Sequence, residues 1–424
     1  MKIENVKGGY NYLPKEQNIR NYINNILVDT FKEYGYESIE TPILTYYDIL
    51  SDKYDENNDL LKEIYRLKDQ GNRDLGLRYD LTVPFAKLIA LNKNKIKYPF
   101  KRYEIAKVFR DGPVKVGRDR EFTQCDVDVV GIKDISIEAE LLCLYISAFN
   151  KLDIDIIIKY NNRKLMKGII LESGIDENLL SKVITIIDKM NKLSLEQLNN
   201  LFIDIGLTEN NIKNLNKYFN LSIKKLSKLF RDTSNTILRE GIDEINKLNE
   251  YIDKLNINKY VKLDLSLARG QDYYTGTVFE VYEANNRLSS SIGGGGRYDN
   301  MITNFINDGN IYPAVGISFG LTSLYELMKD KKIDNNIDIL IIPMNTKIES
   351  LIIANKFRNM GYKVDIDNSN RKLKKIIESA SKSEIKYIIV IGEDEINKGS
   401  FNIKNMLTGE IINVKINDIE TLKI

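Results

Sequence analysis

The sequence predicts an α+β domain, an antiparallel sheet with flanking helices and a helical insertion, followed by a smaller α/β domain. Two strand-like runs, 101–110 and 121–130, flank a loop of turn-forming residues, which indicates an antiparallel hairpin. Between about 165 and 255 apolar residues recur at helical spacing and strand signals are sparse. After a polar run the pattern changes to alternating strands and helices. The expected organisation is a first domain at 1–328, a linker at 329–336 and a second domain at 337–424.

Length and composition exclude several classes of protein. The chain has 424 residues and 43% hydrophobic content, enough for two or three domains with real cores. Its 62 Lys and Arg nearly balance 60 Asp and Glu, so any contact with nucleic acid must come from a local patch. Residues 1–13 lack a signal-peptide core and no run is long enough to span a membrane, which predicts a cytoplasmic protein. With no histidine in the chain, Cys125 and Cys143 predict neither a disulfide framework nor a zinc site.

A helix followed by a strand is predicted near the amino terminus. Apolar residues at helical spacing from Ile19 to Ile26 predict an amphipathic helix that ends near Gly35. The segment 39–44 is strand-like, and because Pro42 cannot donate to a ladder, we expect this strand at an edge or an interface. An ordinary helix packed on a sheet would also explain this pair of elements.

Alternation along the hairpin predicts a polar face and a core face. The polar face collects Arg102, Glu104 and Arg110 from the first strand and Gln124, Asp126 and Asp128 from the second. Several charges on one face of a half-buried sheet cost free energy unless they pair or bind a ligand, which favours a binding site. A solvated face of an antiparallel sheet is the alternative.

Three further segments carry candidate binding groups. Asp80 and Thr82 have the same parity, so one strand can present both side chains to an ammonium group. The glycines at 293–296 let backbone approach a ligand, although alone they would predict only a flexible turn. The stretch 267–280 places Arg269, a carboxylate and two tyrosines around a glycine turn between strand-like runs.

The last ninety residues predict a parallel sheet. Apolar strand-like runs at 337–342 and 387–391 enclose a helix that ends at Gly361 and a second, basic helix. The basic helix offers RNA-phosphate contacts, with an exposed basic face as the equal alternative. Its candidate residues are Arg371, Lys372, Lys374 and Lys375.

These motifs, in this order, resemble those of histidyl-tRNA synthetases, which are class II aminoacyl-tRNA synthetases. The stretch LARGQDYYTGTVFE at 267–280 resembles the family's histidine-binding motif. The segment 109–128 resembles motif 2, and the helix and strand near the amino terminus resemble motif 1, which forms the family's dimer interface. The resemblance extends to the segments at 77–86 and 292–299, the helical insertion and the carboxyl-terminal anticodon-binding domain.

The resemblance implies ATP-dependent ligation of L-histidine to its tRNA through a histidyl adenylate, in a cytoplasmic homodimer joined through motif 1. It implies Mg²⁺ with ATP, while the absence of zinc follows from the cysteine and histidine content given above. Arg110 and Arg269 are the implied catalytic pair on the α-phosphate of ATP, and neither chemical step needs a protein nucleophile. The other implied site residues are Asp80, Thr82, Gln124, Asp128, Tyr273 and Tyr274 for histidine, with Arg118 and Arg120 for ATP.

The sequence departs from the family pattern mainly where ATP is expected. Residues 320–324 read Gly-Leu-Thr-Ser-Leu where motif 3 usually reads Gly-Leu-Glu-Arg-Leu. Asp119 and Gln271 also replace residues common in the family. An alternative is therefore a paralogue without ligase activity, the histidine-sensing regulatory subunit of ATP phosphoribosyltransferase. That paralogue typically lacks a full anticodon-binding domain, and an RNA-binding module without catalysis would not need Arg269.

Overall fold

A computed structural model describes residues 2–51, 59–114, 117–190, 193–268, 273–333, 337–369 and 371–422. The chain divides into two units, Met1–Lys331 and Lys332–Ile424, and each has its own sheet. Within the described ranges, no helix is both long and apolar enough to cross a membrane.

The first unit combines a large sheet, a small sheet and many helices. Its described strands are β1 Glu37–Ser38, β2 Leu44–Tyr46, β3 Arg66–Lys68, β4 Asp74–Leu77, β5 Phe100–Phe109, β6 Glu121–Val130, β7 Ile156–Asn162, β8 Val261–Leu263, β9 Thr277–Glu283, β10 Gly293–Arg297 and β11 Ala314–Gly320. Its described α-helices are α1 Pro14–Glu33, α2 Tyr47–Ser51, α3 Asp59–Lys62, α4 Thr82–Asn92, α5 Ser136–Leu152, α6 Arg163–Glu172, α7 Leu180–Ile187, α8 Leu195–Asp204, α9 Glu209–Phe219, α10 Ile223–Leu229, α11 Thr236–Lys254, α12 Asp299–Ile306 and α13 Leu321–Met328. A 3-10 helix covers Glu177–Leu179.

The large sheet has the order β1-β5-β6-β11-β10-β9-β7-β8. Its inner pairings are antiparallel, and only the outermost pairs, β1 with β5 and β7 with β8, are parallel among the described strands. The small sheet, in the order β2-β4-β3, is antiparallel. The predicted antiparallel core is therefore confirmed.

The predicted hairpin is formed by β5 and β6, and the bounds of β6 are those predicted. The register places Arg102 opposite Asp128 and Glu104 opposite Asp126. All four of these side chains are buried, and Arg102 has no exposed surface. The alternative of a solvated polar face is therefore wrong, because these charges meet one another inside the protein.

Two local strand predictions are wrong. The segment 39–44 is not one strand, because β1 ends before it and β2 begins at its last residue. The backbone N–H of Thr41 donates to Oε1 of Glu104 at 2.8 Å, and Pro42 has no N–H to continue a ladder. Asp80 follows the end of β4 in a turn, and Oδ1 accepts a hydrogen bond from the N–H of Val83 at 3.0 Å. Asp80 and Thr82 therefore do not share a strand.

The helical predictions are confirmed in both places. In α1 the apolar stripe is buried at Ile19, Ile23 and Leu27. From α6 to α11 the described residues form helices, and apolar residues of α6 to α9 share a core that includes Leu180, Val183, Ile184 and Ile187. These residues serve internal packing.

The second unit is a mixed sheet with helices. Its described elements are β12 Ile339–Pro343, α14 Lys347–Asn359, β13 Val364–Ile366, α15 Leu373–Lys382, β14 Tyr387–Ile391, α16 Glu393–Lys398, β15 Ser400–Asn405, β16 Ile411–Lys415 and a 3-10 helix at Ile416–Thr421. In the order β13-β12-β14-β15-β16 the first three strands are parallel, as predicted, and the last two are antiparallel. Of the predicted linker at 329–336, residues 334–336 lie outside the described residues.

Candidate active site

A cavity of about 810 Å³ in the first unit collects most of the predicted site residues. Its lining includes residues of β6, β9, β10 and β11, residues at the start of α4 and two tyrosines that precede β9. The predicted residues that line it are Asp80, Thr82, Arg110, Arg118, Gln124, Asp128, Tyr273 and Tyr274. Arg269 and Gln271 lie outside the described residues.

A fully buried arginine organises the acidic wall of this cavity. Nη2 of Arg102 lies 2.6 Å from Oδ2 of Asp128, and its guanidinium carbon lies 4.2 Å from the centre of the Phe85 ring. The hydroxyl of Tyr298 donates to the other carboxylate oxygen, Oδ1. Both oxygens of Asp128 are therefore engaged within the protein.

A second buried ion pair lies beside the first, between Arg78, which follows β4, and Glu104 on β5. Nη1 of Arg78 lies 3.1 Å from Oε1 of Glu104 and donates to the carbonyl oxygen of Thr41 at 2.6 Å. Nε of Arg78 donates to the carbonyl oxygen of Lys107 at 2.8 Å. Removing one partner of such a pair leaves a buried charge uncompensated, so the arrangement is held rigidly.

Five buried side-chain oxygens of cavity-lining residues have no hydrogen-bond partner among the described residues. They are Oδ2 of Asp80, Oε1 of Gln124, Oδ1 of Asp126, Oγ1 of Thr322 and Oδ2 of Asp128, the last of which is ion-paired with Arg102. The amide of Gln124 is oriented by a hydrogen bond from Nε2 to Oγ of Ser318 at 3.2 Å. Buried acceptors without donors are costly, so this wall suits a ligand that brings several N–H groups.

The carboxyl groups of this wall bind protons more tightly than exposed aspartates do. Burial raises the pKa of Asp126 to about 8, against the opposing effect of Arg102. Burial also raises the pKa of Asp80 to about 6, and it raises the pKa of Asp128 despite the nearby Arg102. A cationic ligand would stabilise the charged forms of all three groups.

Two arginines and two tyrosines complete the described walls of the cavity. Nε of Arg110 donates to the carbonyl oxygen of Tyr79 at 3.0 Å, which holds its guanidinium beside Asp80. Arg118 is exposed at the cavity. The ring centres of Tyr273 and Tyr274 lie 4.7 Å apart and form an aromatic surface.

The remaining predicted arginine and the glycine run show other structural roles. Arg120 does not line the cavity in the described structure: it lies 3.1 Å from Oδ1 of Asp111 and donates to the carbonyl oxygen of Gly112 at 3.3 Å. A Cβ on Gly295 would lie 2.1 Å from the carbonyl oxygen of Gly316, so close strand pairing already requires this glycine.

The residues at the motif 3 position also line the cavity. Thr322 and Ser323 stand in the first turn of α13 and are buried. Asp119 lines the cavity too, and burial raises the pKa of its carboxyl. This wall presents hydroxyls where the family pattern has an arginine, and the Asp119 carboxyl where the family often has a tyrosine.

Sequence reasoning did not select Arg102, Asp126 or Tyr298 as site residues. The alternation of side chains placed Arg102 and Asp126 on the polar face of the hairpin. That alternation alone would have been enough to name Asp126 as a candidate site residue. Tyr298 gave no comparable signal, because its partner Asp128 is distant in the sequence and the contact depends on the fold.

Comparison with known proteins identifies relatives along the whole chain. Residues 8–324 match the family described as histidyl-tRNA synthetase, and residues 338–422 match the anticodon binding domain. The chain is 43% identical over 423 residues to histidine-tRNA ligase 1 of Bacillus cereus (strain ZK / E33L), a match that covers 99% of each chain.

Two solved structures have the same fold. The histidyl-tRNA synthetase from Nostoc sp. PCC 7120 aligns with a TM-score of 0.83 and 26% identity, covering 99% of each chain. A protein described as an ATP phosphoribosyltransferase regulatory subunit/histidyl-tRNA synthetase from Bacillus halodurans C aligns with a TM-score of 0.77. That second protein is 22% identical and the alignment covers 92% of this chain and 98% of its own, so the likeness concerns the fold alone.

Proposed function

Since the chain belongs to the histidyl-tRNA synthetase family, we propose that it joins L-histidine to its cognate tRNA at the expense of ATP, through a histidyl-adenylate intermediate. The relatives that match it over nearly its full length are named histidine-tRNA ligases. The regulatory-subunit alternative is less well supported, because the match to the anticodon binding domain covers residues 338–422 and the named relatives are ligases.

The observation that carries this proposal is the set of buried acceptors without donors in the cavity. An α-ammonium group and an imidazole N–H are donors that Asp80 and Gln124 lack among the described residues. Thr82 adds a hydroxyl, and Tyr273 and Tyr274 provide aromatic surface for a planar ring. A site that hydrogen-bonds its substrate rejects analogues without those groups far better than an apolar slot does.

In the first step, an oxygen of the histidine carboxylate attacks the α-phosphorus of ATP, and the bond to pyrophosphate breaks. Arg110 stabilises the charge that grows on the α-phosphate oxygens, and the family resemblance assigns Arg269 to the same phosphate. Mg²⁺ bound with ATP would offset negative charge on the leaving pyrophosphate. Arg118 contacts the nucleotide, whereas Arg120 holds the loop through its ion pair with Asp111.

In the second step, a hydroxyl of the terminal ribose of tRNA attacks the activated carbonyl carbon, and AMP leaves. The second unit binds the anticodon region, and its exposed lysines contact phosphates. Two copies of the chain associate through the motif 1 region, which includes α1. We place the enzyme in the cytoplasm.

The decisive experiment is histidine-dependent exchange of labelled pyrophosphate into ATP, followed by charging of tRNA. The ligase shows both activities, and exchange falls steeply in Arg269→Lys. A protein that binds histidine without exchange is a sensor, and a protein that binds only tRNA is an RNA-binding module. Either of those results would exclude the proposed reaction.

A further inference from the structure

We propose that a second cavity, on the other face of the β5–β6 hairpin, binds a phosphate group that retains a proton. This cavity has a volume of about 240 Å³ and is lined by the segment before α1, by α1 and by the hairpin. Thr123 lines it, and the alternation of β6 directs this side chain away from the face of Gln124 and Asp126. The second cavity therefore lies behind the acidic wall of the active site.

The cation of the second cavity is Arg20, a lining residue that is 7% exposed. Its guanidinium carbon lies 4.0 Å from the centre of the Tyr12 ring, and Nη2 donates to Oγ1 of Thr123 at 3.3 Å. Nη1 is buried and has no hydrogen-bond partner among the residues that the structure describes. The guanidinium is therefore fixed by its neighbours and has one nitrogen left for a ligand.

The charge of Arg20 is not neutralised by the described wall of the second cavity. Lys107 and Glu121, which also line it, pair with each other. Asp119 interacts electrostatically with Arg20, but it lines the active cavity and forms no ion pair with Arg20 in the described structure. A buried guanidinium without a paired carboxylate costs free energy, so this cavity suits an anion.

The amide oxygen of Asn24 determines which anion fits. Asn24 lies one helical turn after Arg20 in α1, so the two side chains are neighbours on the surface of the helix. Oδ1 of Asn24 is buried and lacks a donor within the described ranges. A ligand that satisfies both residues accepts from the guanidinium and donates to the amide oxygen. Hydrogen phosphate does both, because its oxygens match the guanidinium and one of them carries a proton.

The second cavity is close to the active cavity but distinct from it. Phe122 lines both, and the guanidinium carbon of Arg110 lies 5.1 Å from the centre of the Phe122 ring. Leu321 lines the second cavity, whereas the next residue, Thr322, lines the active cavity. Because Arg110 can also bind phosphate, a binding experiment has to distinguish the two cavities.

Calorimetric titration with inorganic phosphate tests the proposal. Asn24→Asp places a carboxylate where it can pair with Arg20 and take the place of the anion. We expect this variant to bind phosphate about 10- to 100-fold more weakly than wild type, the range for hydrogen bonds to a charged group, with no loss of thermal stability. Asn25→Asp makes the same change of charge at an exposed position outside the cavity lining, and should bind phosphate as wild type does.

Two arginine variants distinguish the cavities. Arg20→Gln should lose the phosphate site, whereas Arg110→Ala should retain it. Binding that survives in Arg20→Gln and is lost in Arg110→Ala would place the phosphate in the active cavity and overturn the proposal. Thermal unfolding shows whether Arg20→Gln is folded and whether phosphate still stabilises it. If Arg20→Gln does not fold, the comparison of Asn24→Asp with Asn25→Asp decides the question.

Sedimentation velocity checks the oligomeric state of the variants, because α1 belongs to the proposed interface between copies of the chain. Dissociation of Arg20→Gln with unchanged binding of phosphate would assign the cavity to that interface and overturn the proposal.

A comparison of anions tests the contact with Asn24. Sulfate should bind at least about tenfold more weakly than inorganic phosphate, because it has no proton to donate to Oδ1. Glycerol phosphate is about half protonated near pH 6, and tighter binding of it than of inorganic phosphate at that pH would identify an organic phosphate as the source of the group. Equal binding of sulfate and phosphate, or unchanged binding of phosphate by Asn24→Asp, would overturn the proposal.

Discussion

Gly316 on β11 lies directly opposite Asp128 on β6, and a Cβ at Gly316 would stand 1.8 Å from Oδ1 of that aspartate. Gly316→Ala should therefore displace Asp128 from Arg102 and Tyr298. We expect the free energy of unfolding to fall by ~1–3 kcal/mol, as for overpacking in a core, and KM for histidine to rise. Urea denaturation and exchange kinetics measure both effects. Gly71→Ala, where the new Cβ would meet nothing closer than 3.4 Å, is the control; a Gly316→Ala enzyme that behaves like it would refute the prediction.

Removal of the buried guanidinium of Arg102 should be among the most destabilising single substitutions in this site. Arg102→Met leaves buried carboxyl groups without their cation, which costs about 3–5 kcal/mol of the free energy of unfolding. Adding Asp126→Asn removes one of those carboxyl groups and should restore part of the loss. Urea denaturation of the single and double variants tests this coupling, and purely additive effects would show that the two side chains act independently.

The acidic wall predicts a pH dependence of stability for the protein without ligand. Folding raises the pKa of Asp126 from its ordinary value of 3.8 to about 8, so the folded state holds a proton that the unfolded chain releases. The resulting stabilisation is complete below about pH 4 and disappears as the pH rises through about 8. Asp80 contributes in the same direction, and its part disappears as the pH rises through about 6.

Asp126→Asn should therefore flatten the fall in the free energy of unfolding between about pH 6 and about pH 8, above the range of Asp80, measured by urea denaturation. The exposed Asp134→Asn variant should keep the slope of wild type. Parallel curves for Asp126→Asn and wild type would contradict the assignment.

Arg110 should act mainly on the transition state. Arg110→Ala should lower kcat/KM in the exchange reaction by about 10²- to 10³-fold, or ~3 kcal/mol, the cost of removing one donor to a developing charge. Arg110→Lys should recover little, because an ammonium cannot hold two oxygens at once. Arg120→Ala should lose less, since Arg120 pairs with Asp111. An equal loss in both alanine variants would assign the two arginines the same role.

The second unit should affect tRNA and leave activation of histidine unchanged. Lys372, Lys374 and Lys375 are exposed around the start of α15. Replacing all three with glutamine should raise KM for tRNA several-fold, with a weaker dependence on salt, because fewer phosphate contacts release fewer counter-ions. Histidine-dependent exchange is the internal control. A charging reaction with unchanged KM for tRNA would leave this helix as an ordinary basic surface.

Sequence patterns predicted the helices and strands correctly where the periodicity of neighbouring residues determines the structure. The bounds of β6 follow from the strict alternation of Gln124, Asp126 and Asp128 with apolar residues that face the core. The helices of the insertion follow from the spacing of Leu180 and its neighbours, whose only requirement is to pack together. In both cases a single periodicity is enough to specify the element.

The failed predictions depend on contacts between distant parts of the chain. Thr41 leaves the predicted strand because its N–H bonds to Glu104, 63 positions away. Asp80 is held in a turn by the N–H of Val83, a hydrogen bond that parity arguments do not consider. Parity also placed Arg102 and Asp128 on one face without showing that they pair, because the register of the hairpin depends on the conformation of a long loop.

Because Arg102 has no exposed surface, dissolved ions cannot reach the charge that holds the acidic wall together. Screening acts on charges in contact with solvent and weakens contacts between exposed lysines and a polyanion. The two substrates should therefore respond differently to the ionic composition of the cell: affinity for the nucleic acid varies with ionic strength, while the pocket for the amino acid retains its shape.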